Sequence, residues 1–290
     1  MKENLATTSL PWQQVAYMWK NYFTVPSRIS SKEVGKYREW LEKINRNKKP
    51  LNGLVLGATP ELRDALVDFG YILSSIDINL DMFLAMDELL KNKSPNEVLI
   101  KANWLDNPLA GNYFDVIVGD AVLPNIPWNE RLYLLSEVKR LLKPNGIFLT
   151  RAFCIPDKKS FSNVEEILEH FSKKEQPIMQ SALEMVLEFQ ILTYDPKDHL
   201  GSFAKARDVL EDYHKRKGDK FENKKLQEIH DIVWDFWCKK FVNKVFVYAY
   251  RDEEENDYKK DFKIIETFEA QDHDYSKITP MYFLQKSDSL

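Results

Sequence analysis

The sequence predicts an α/β fold with a mostly parallel sheet and helices on both faces. Two observations predict it. Short apolar runs alternate with helical patterns from residue 53 to residue 153, and such alternation builds parallel strands joined by crossover helices. Within that stretch, Leu54-Val55-Leu56 runs into the tight turn Gly57-Ala58-Thr59-Pro60, and a later apolar run ends in Ser75-Ile76-Asp77. The first is a strand opening into a helix. The second is a strand with a carboxylate at its tip.

Residues 12–23 read as a helix carrying Trp12, Tyr17, Trp19, Tyr22 and Phe23, ended by Pro26. Ser30 or Ser31 caps a second helix, with Glu33 as capping-box partner, and Lys48-Lys49-Pro50 breaks it after about Asn47. Strands follow at 53–57, 72–77, 98–102, 114–119 and 147–153, with helices at 60–69, 80–91 and 128–142. Pro60 suits a first helical turn. Lys143-Pro144-Asn145-Gly146 reads as a turn in which proline presets φ and glycine permits a positive φ. From 162 to 250 the pattern is helical and highly charged. The run 226–237 is amphipathic, with Ile229, Ile232, Val233, Phe236 and Trp237 on one face. Residues 251–257 read as a charged surface linker, and 262–269 and 281–284 return to strand character. These last strands are expected to form the antiparallel end of the same sheet. The expected organisation is an N-terminal helical segment (1–50), a cofactor-binding core (51–153), a helical insertion or acceptor cap (154–261) and completing strands (262–290).

Composition excludes several classes. The chain has 290 residues, 44% of them hydrophobic, enough for a sizeable core. A net charge of −4 gives no global attraction to nucleic acid or an anionic membrane. Lys215-Arg216-Lys217 is the best candidate for a local basic patch, or else a solvated helix end or turn. Cys154 and Cys238 are the only cysteines, so neither a zinc cluster nor a disulfide framework is expected. His170, His199, His214, His230 and His273 show no metal-ligand spacing. No apolar signal core follows Met1-Lys2-Glu3-Asn4, and no run approaches the roughly 20 apolar residues of a membrane span. A cytoplasmic protein with no membrane, nucleic-acid or metal partner is expected.

An acid at the tip of the second strand of a βαβ unit is placed to take two ribose hydroxyls, which points to an adenosine-containing cofactor. A dinucleotide site wants G-x-G-x-x-G so that backbone approaches a pyrophosphate. Here Thr59 replaces the second glycine, and Glu61 would set a carboxylate beside the phosphates. An adenosine cofactor without phosphate tolerates this turn, and S-adenosylmethionine is one. Its carboxylate can use free N–H groups at a helix start.

In these residues the chain resembles the class I S-adenosylmethionine-dependent methyltransferases. Val55-Leu56-Gly57-Ala58-Thr59 matches their first strand and turn, Asp77 the ribose acid, Ala102-Asn103-Trp104 the segment flanking adenine. Phe114 to Asp120 matches the fourth strand, and Leu141 to Gly146 the turn before the fifth. The resemblance implies a seven-stranded, mostly parallel, Rossmann-like sheet of order 3-2-1-4-5-7-6, the seventh strand antiparallel and the helical insertion after the fifth. Departures are Val55, where an acid is usual, and Thr59 and Glu61 in place of further glycines. A subset of methyltransferase-like proteins carries a similar Gly-x-Thr-Pro-Glu turn.

The expected cofactor-binding residues are Gly57, Ala58 and Thr59, Asp77 with Ile78, Asn103 and Trp104, Asp120 with Ala121, and Arg28. Asp77 is either a helix cap or a ribose ligand, with Asn79 better placed as the cap. Trp104 is either a core residue or an adenine contact. Asp120 ends the fourth strand beside the expected crevice and is the candidate base for an acceptor. Asn125 and Trp128 are weaker candidates on the same loop, and His199 is a candidate base from the insertion. The N-terminal aromatic helix is packing or a lid, with Arg28 reaching the methionine carboxylate. Tyr213 and Lys217 have the Tyr-x-x-x-Lys spacing of short-chain dehydrogenases but stand far beyond the fifth strand.

The function expected is methyl transfer to a small-molecule or peptide acceptor. The alternative is a catalytically silent binding protein on the same fold. A nicotinamide-dependent oxidoreductase is disfavoured by the turn. Methyl transfer from a sulfonium needs mainly alignment, which explains the lack of a visible triad. Acceptor and oligomeric state are not legible.

Overall fold

The computed structural model describes residues 12–47 and 50–287. Residues 1–11 and 288–290, the helix break at Lys48-Lys49 and the side chains of residues 12–15, Trp12 among them, lie outside the described residues. The N-terminal segment is α1 (Trp12–Asn21) and α2 (Ser31–Ile44). It is followed by β1 (Asn52–Leu56), α3 (Pro60–Asp68), β2 (Ile72–Asp77), α4 (Leu80–Asp87), β3 (Val98–Lys101), β4 (Phe114–Asp120), α5 (Arg131–Leu141) and β5 (Leu142–Arg151). A second block holds β6 (Cys154–Ile155), α6 (Val164–Lys173), α7 (Ile178–Thr193), β7 (Leu200–Ser202), α8 (Phe203–Lys217), α9 (Lys224–Ile232), β8 (Val245–Val247) and β9 (Ala249–Tyr250). The chain closes with α10 (Arg251–Asp261), β10 (Phe262–Phe268) and β11 (Met281–Lys286).

The central sheet has seven strands in the order β10-β11-β5-β4-β1-β2-β3. β1 to β5 run parallel, and β11 pairs antiparallel with both β5 and β10. β11, last in sequence, inserts between β5 and β10, giving the expected 3-2-1-4-5-7-6 order. Period-two alternation divides each strand between two cores. Val55, Val116, Val118 and Leu149 face Tyr37, Trp40, Leu62 and Leu66 of α2 and α3. Leu54, Leu56, Ile117 and Phe148 face Leu134, Leu135 and Val138 of α5 and Tyr258 of α10. The second block has its own core of Ile167, Phe171, Met185, Phe189, Ile229 and Val233. Two short strand pairs, β6 with β9 and β7 with β8, bring its chain back to the sheet. Among the described residues no helix is long and apolar enough to cross a membrane.

Four local expectations change. The charged run after Tyr250 is the helix α10, not a linker. Glu254 and Tyr258, one turn apart, are buried, and Glu254 ion-pairs with Arg131 of α5. α4 stops at Asp87 because the Asp64 carboxylate of α3 accepts the N–H groups of Lys91 and Asn92 and turns the chain. Lys143 to Gly146 bulge within β5, between the pairs Phe114–Leu142 and Val116–Ile147. There Asn145 carries the positive φ, 59°, while Gly146 is required for closeness: a Cβ would meet the Lys143 carbonyl at 2.8 Å. The amphipathic run splits into α9 and a π-helical turn, Val233–Cys238. The extra residue per turn leaves Ile232 and Phe236 half-buried and brings Trp237 and Cys238 inside.

Candidate functional site

A cavity of about 450 Å³ opens over the carboxyl ends of β1, β2 and β4. The sheet contributes its floor. Gly57 has φ 98° and hands its N–H to Ile76 O at 2.9 Å, so the chain leaves β1 and enters α3 at Pro60 without a side chain in the way. Ala58 and Thr59 line the same wall. Asp77 and Ile78 line the next, and Asp77 accepts the Asn79 N–H at 2.8 Å. Asn79 in turn caps α4, accepting from Asp81 N and Met82 N, so the capping role falls to Asn79 and leaves Asp77 on the cavity. Burial pushes the Asp77 carboxyl up to about 6, against backbone N–H groups and the Lys244 charge, which favour ionisation.

Asn103 and Trp104 follow β3 and also line the cavity. Trp104 Nε1 donates to Ile76 O at 2.8 Å, which fixes the indole across the turn, 3.7 Å from where a Cβ on Gly57 would stand. The ring therefore packs on the core and faces the cavity at once. Asp120 and Ala121 end β4 on the cavity wall, Ala121 held at φ 48°. Asn125 lines it as well. Trp128 and His199 do not: their rings stack on each other at 3.4 Å, docking the second block onto the loop before α5.

Among the expected cofactor-binding residues, Arg28 stays off the cavity wall. Its guanidinium is taken by Glu61, Nε to Oε1 at 2.6 Å, and by the Trp19 carbonyl at 2.9 Å. The pair also answers the difficulty of Glu61. The Glu61 carboxylate in the first turn of α3 is matched by a cation and by Trp19 Nε1 at 3.3 Å.

Residues 58–150 match a family model described as a methyltransferase domain, from the turn after β1 to the end of β5. That span is a methyltransferase domain, and the strand order around it is that of the class I methyltransferase fold. Its cofactor is S-adenosylmethionine. The matched span is roughly a third of this methyltransferase. No curated protein matches the chain in sequence. Among solved structures, one from Rhodobacter sphaeroides presented as a zinc-dependent alcohol dehydrogenase is similar with a TM-score of 0.56 and 14% identity, covering 95% of this chain and 99% of that one. The PH0226 protein of Pyrococcus horikoshii OT3 gives 0.54 at 15% identity, covering 94% and 99%. The N-methyltransferase NodS of Bradyrhizobium japonicum WM9, in complex with S-adenosylhomocysteine, gives 0.50 at 10% identity, covering 96% and 100%. At such identities the likeness speaks for the fold alone.

Much of the methyltransferase's cavity comes from residues that no motif announces. Arg151, at the end of β5, holds both oxygens of Asp120, at 2.6 and 3.3 Å. Burial pushes the Asp120 carboxyl up and Arg151 opposes that shift. A carboxylate so clamped is a fixed charge more than a free base. Arg151 also reaches Glu33 of α2 at 3.1 Å and the Pro26 carbonyl at 3.0 Å. Burial works against the charge on Glu33, yet Arg151 and His273 together hold it below the usual carboxylate range. The far wall is apolar. Leu183, Val186, Leu187 and Gln190 come from α7, and Phe203, Trp237, Phe246 and Tyr248 from later in the block. Met18, Trp19 and Phe23 close the N-terminal side. Among the described residues no three His, Cys, Asp or Glu side chains form a metal-binding group.

Proposed function

We propose that this methyltransferase acts on a small molecule enclosed between the carboxyl edge of the sheet and the helical block within residues 154–261. The observation that supports this most is the shared cavity. One wall comes from the turn after β1, Asp77 and Trp104, and the other is an aromatic surface from the block. Its size falls in the roughly 300–1,000 Å³ of small-molecule sites and favours a small acceptor over an extended peptide.

The residues present fit the cofactor. Among the described residues Asp77 accepts only backbone N–H groups from its own turn, those of Ile78 and Asn79, and no side chain competes for it. It is our choice for the ribose hydroxyls. Gly57, Ala58 and Thr59 border the amino-acid end, where the start of α3 offers N–H donors. Trp104 and Asn103 border the adenine, Ile78 the ribose edge, and Ala121 and Asp120 the reacting end.

Bound S-adenosylmethionine supplies a methyl group on a sulfonium, activated because the sulfur leaves as a neutral thioether. The chain's own contribution is placement and exclusion of water. Arg151 faces two carboxylates, Asp120 and Glu33. α1 and the helical block cover the cavity from opposite sides.

The test is S-adenosylhomocysteine formation from S-adenosylmethionine with the small-molecule and peptide fractions of a cell extract. Turnover is expected with small molecules and is expected to fall in Phe246→Ala. Turnover with peptides alone overturns the acceptor assignment. Binding of S-adenosylhomocysteine without turnover in either fraction favours a silent binding protein.

A further inference from the structure

Four charged side chains line the cavity: Asp77, Asp120, Arg151 and Lys244. Asp120 and Arg151 neutralise one another, with Glu33 behind them. Lys244 differs. It comes from the residue before β8, and its ammonium donates to the neutral Asn125 Oδ1 at 3.2 Å and lies 4.8 Å from the centre of the Phe246 ring. Among the described residues it has no carboxylate within ion-pair distance; Asp77 acts on it only from farther away. A cation held this way has lost much of its water without gaining an anion. Burial accordingly pulls the Lys244 pKa down, with Asp77 offsetting part of the fall.

The position is as informative as the lack of a partner. Asn125 belongs to the loop after β4, on the cofactor side. Phe246 belongs to the aromatic wall, stacking toward Tyr248 and meeting Phe203 edge-on. Lys244 therefore stands on the seam between the two halves of the cavity. We propose that Lys244 recognises an anionic group, a carboxylate or an ionised phenol, on an aromatic or otherwise apolar acceptor. This rests on the reading of the cavity as an enclosed small-molecule site. The rings supply apolar and π surface for the body of such a molecule. Lys244 supplies a charge-assisted hydrogen bond that a neutral acceptor would not make. The cofactor's own carboxylate is a second source of the same chemistry, and the experiment separates the two.

The experiment titrates the protein, saturated with S-adenosylhomocysteine, with benzoate, 4-hydroxybenzoate, 1-naphthoate and indole-3-acetate and with the primary amide of each. At least one acid is expected to bind about 10-fold or more tightly than its amide. Lys244→Met is expected to erase that preference, Lys244→Arg to keep most of it, and both to bind S-adenosylhomocysteine as the wild type does. Equal binding of acid and amide, no binding of any acid, or a preference that survives in Lys244→Met overturns the proposal. Weaker S-adenosylhomocysteine binding in Lys244→Met assigns the lysine to the cofactor and also overturns it. If the wild type itself fails to bind S-adenosylhomocysteine, the cofactor assignment of the cavity is what has failed.

Discussion

Asp77 carries the most chemistry for its size. Its carboxyl sits at about 6 in the free protein because burial disfavours the charge. A carboxylate accepts from two ribose hydroxyls only while ionised. S-adenosylhomocysteine affinity is therefore expected to be flat above about pH 7 and to weaken below about pH 6, approaching tenfold per pH unit. Calorimetric titrations from pH 5 to 8 check this, and Asp77→Asn should bind weakly with the dependence gone. Affinity unchanged down to pH 5 contradicts the ribose assignment. Arg28 makes a second prediction. If it neutralises Glu61 and touches no ligand, Arg28→Ala weakens S-adenosylhomocysteine several-fold and a second change, Glu61→Gln, restores most of the loss. A direct contact to the methionine carboxylate would leave the double variant as weak as the single. Gly57, Asp77, Trp104 and Asp120 were legible because α/β sheets place their sites beyond the carboxyl ends of strands. Arg28 was legible as a candidate, but its partner was not, since Glu61 meets it only after folding. Lys244, Arg151 and Gln190 carried no signal, because each reaches the cavity from a segment without a motif.

At the scale of elements, periodicity placed β1 to β4 to within a residue or so, and the capping box from Ser30 to Glu33 stands as expected. What misled were charges whose partners lie far off in sequence. α10 reads as solvent-facing until Arg131 is brought beneath it. α9 reads in the sequence as part of an amphipathic run, with no partner for its histidine in view. Packed against α8, it puts His230 Nε2 2.8 Å from His214 Nε2, a contact needing one proton between two rings. Burial is the first cause lowering both pKa values, and for His214 the charge of His230 is the second. The unfolded chain thus takes up protons near the ordinary value of 6.5 that the folded chain resists. Stability from this pair is present above that value and is lost as pH falls below it. The melting temperature is expected to drop from pH 7 to pH 5, and His214→Gln to drop less over the same range. An equal or larger drop in the variant removes the pair from the account.

Over the whole molecule, three parts of the chain meet on one cavity: the sheet edge, α1 with the loop after it, and the helical block. Arg151 ties the sheet edge to the N-terminal segment, reaching from β5 to β4 through Asp120, to α2 through Glu33 and to the N-terminal loop through the Pro26 carbonyl. Glu33 extends the link to the end of the chain, accepting Thr279 Oγ1 at 3.2 Å. The central claim is that this convergence forms an S-adenosylmethionine site with its ribose on Asp77. The most direct measurement is calorimetric titration of the wild type and Asp77→Ala with S-adenosylhomocysteine, with NAD as the control. The account predicts binding to the wild type, a loss of about 10-fold or more in Asp77→Ala, and no binding of NAD. Unchanged affinity in a folded Asp77→Ala, or binding of NAD in place of S-adenosylhomocysteine, would contradict it.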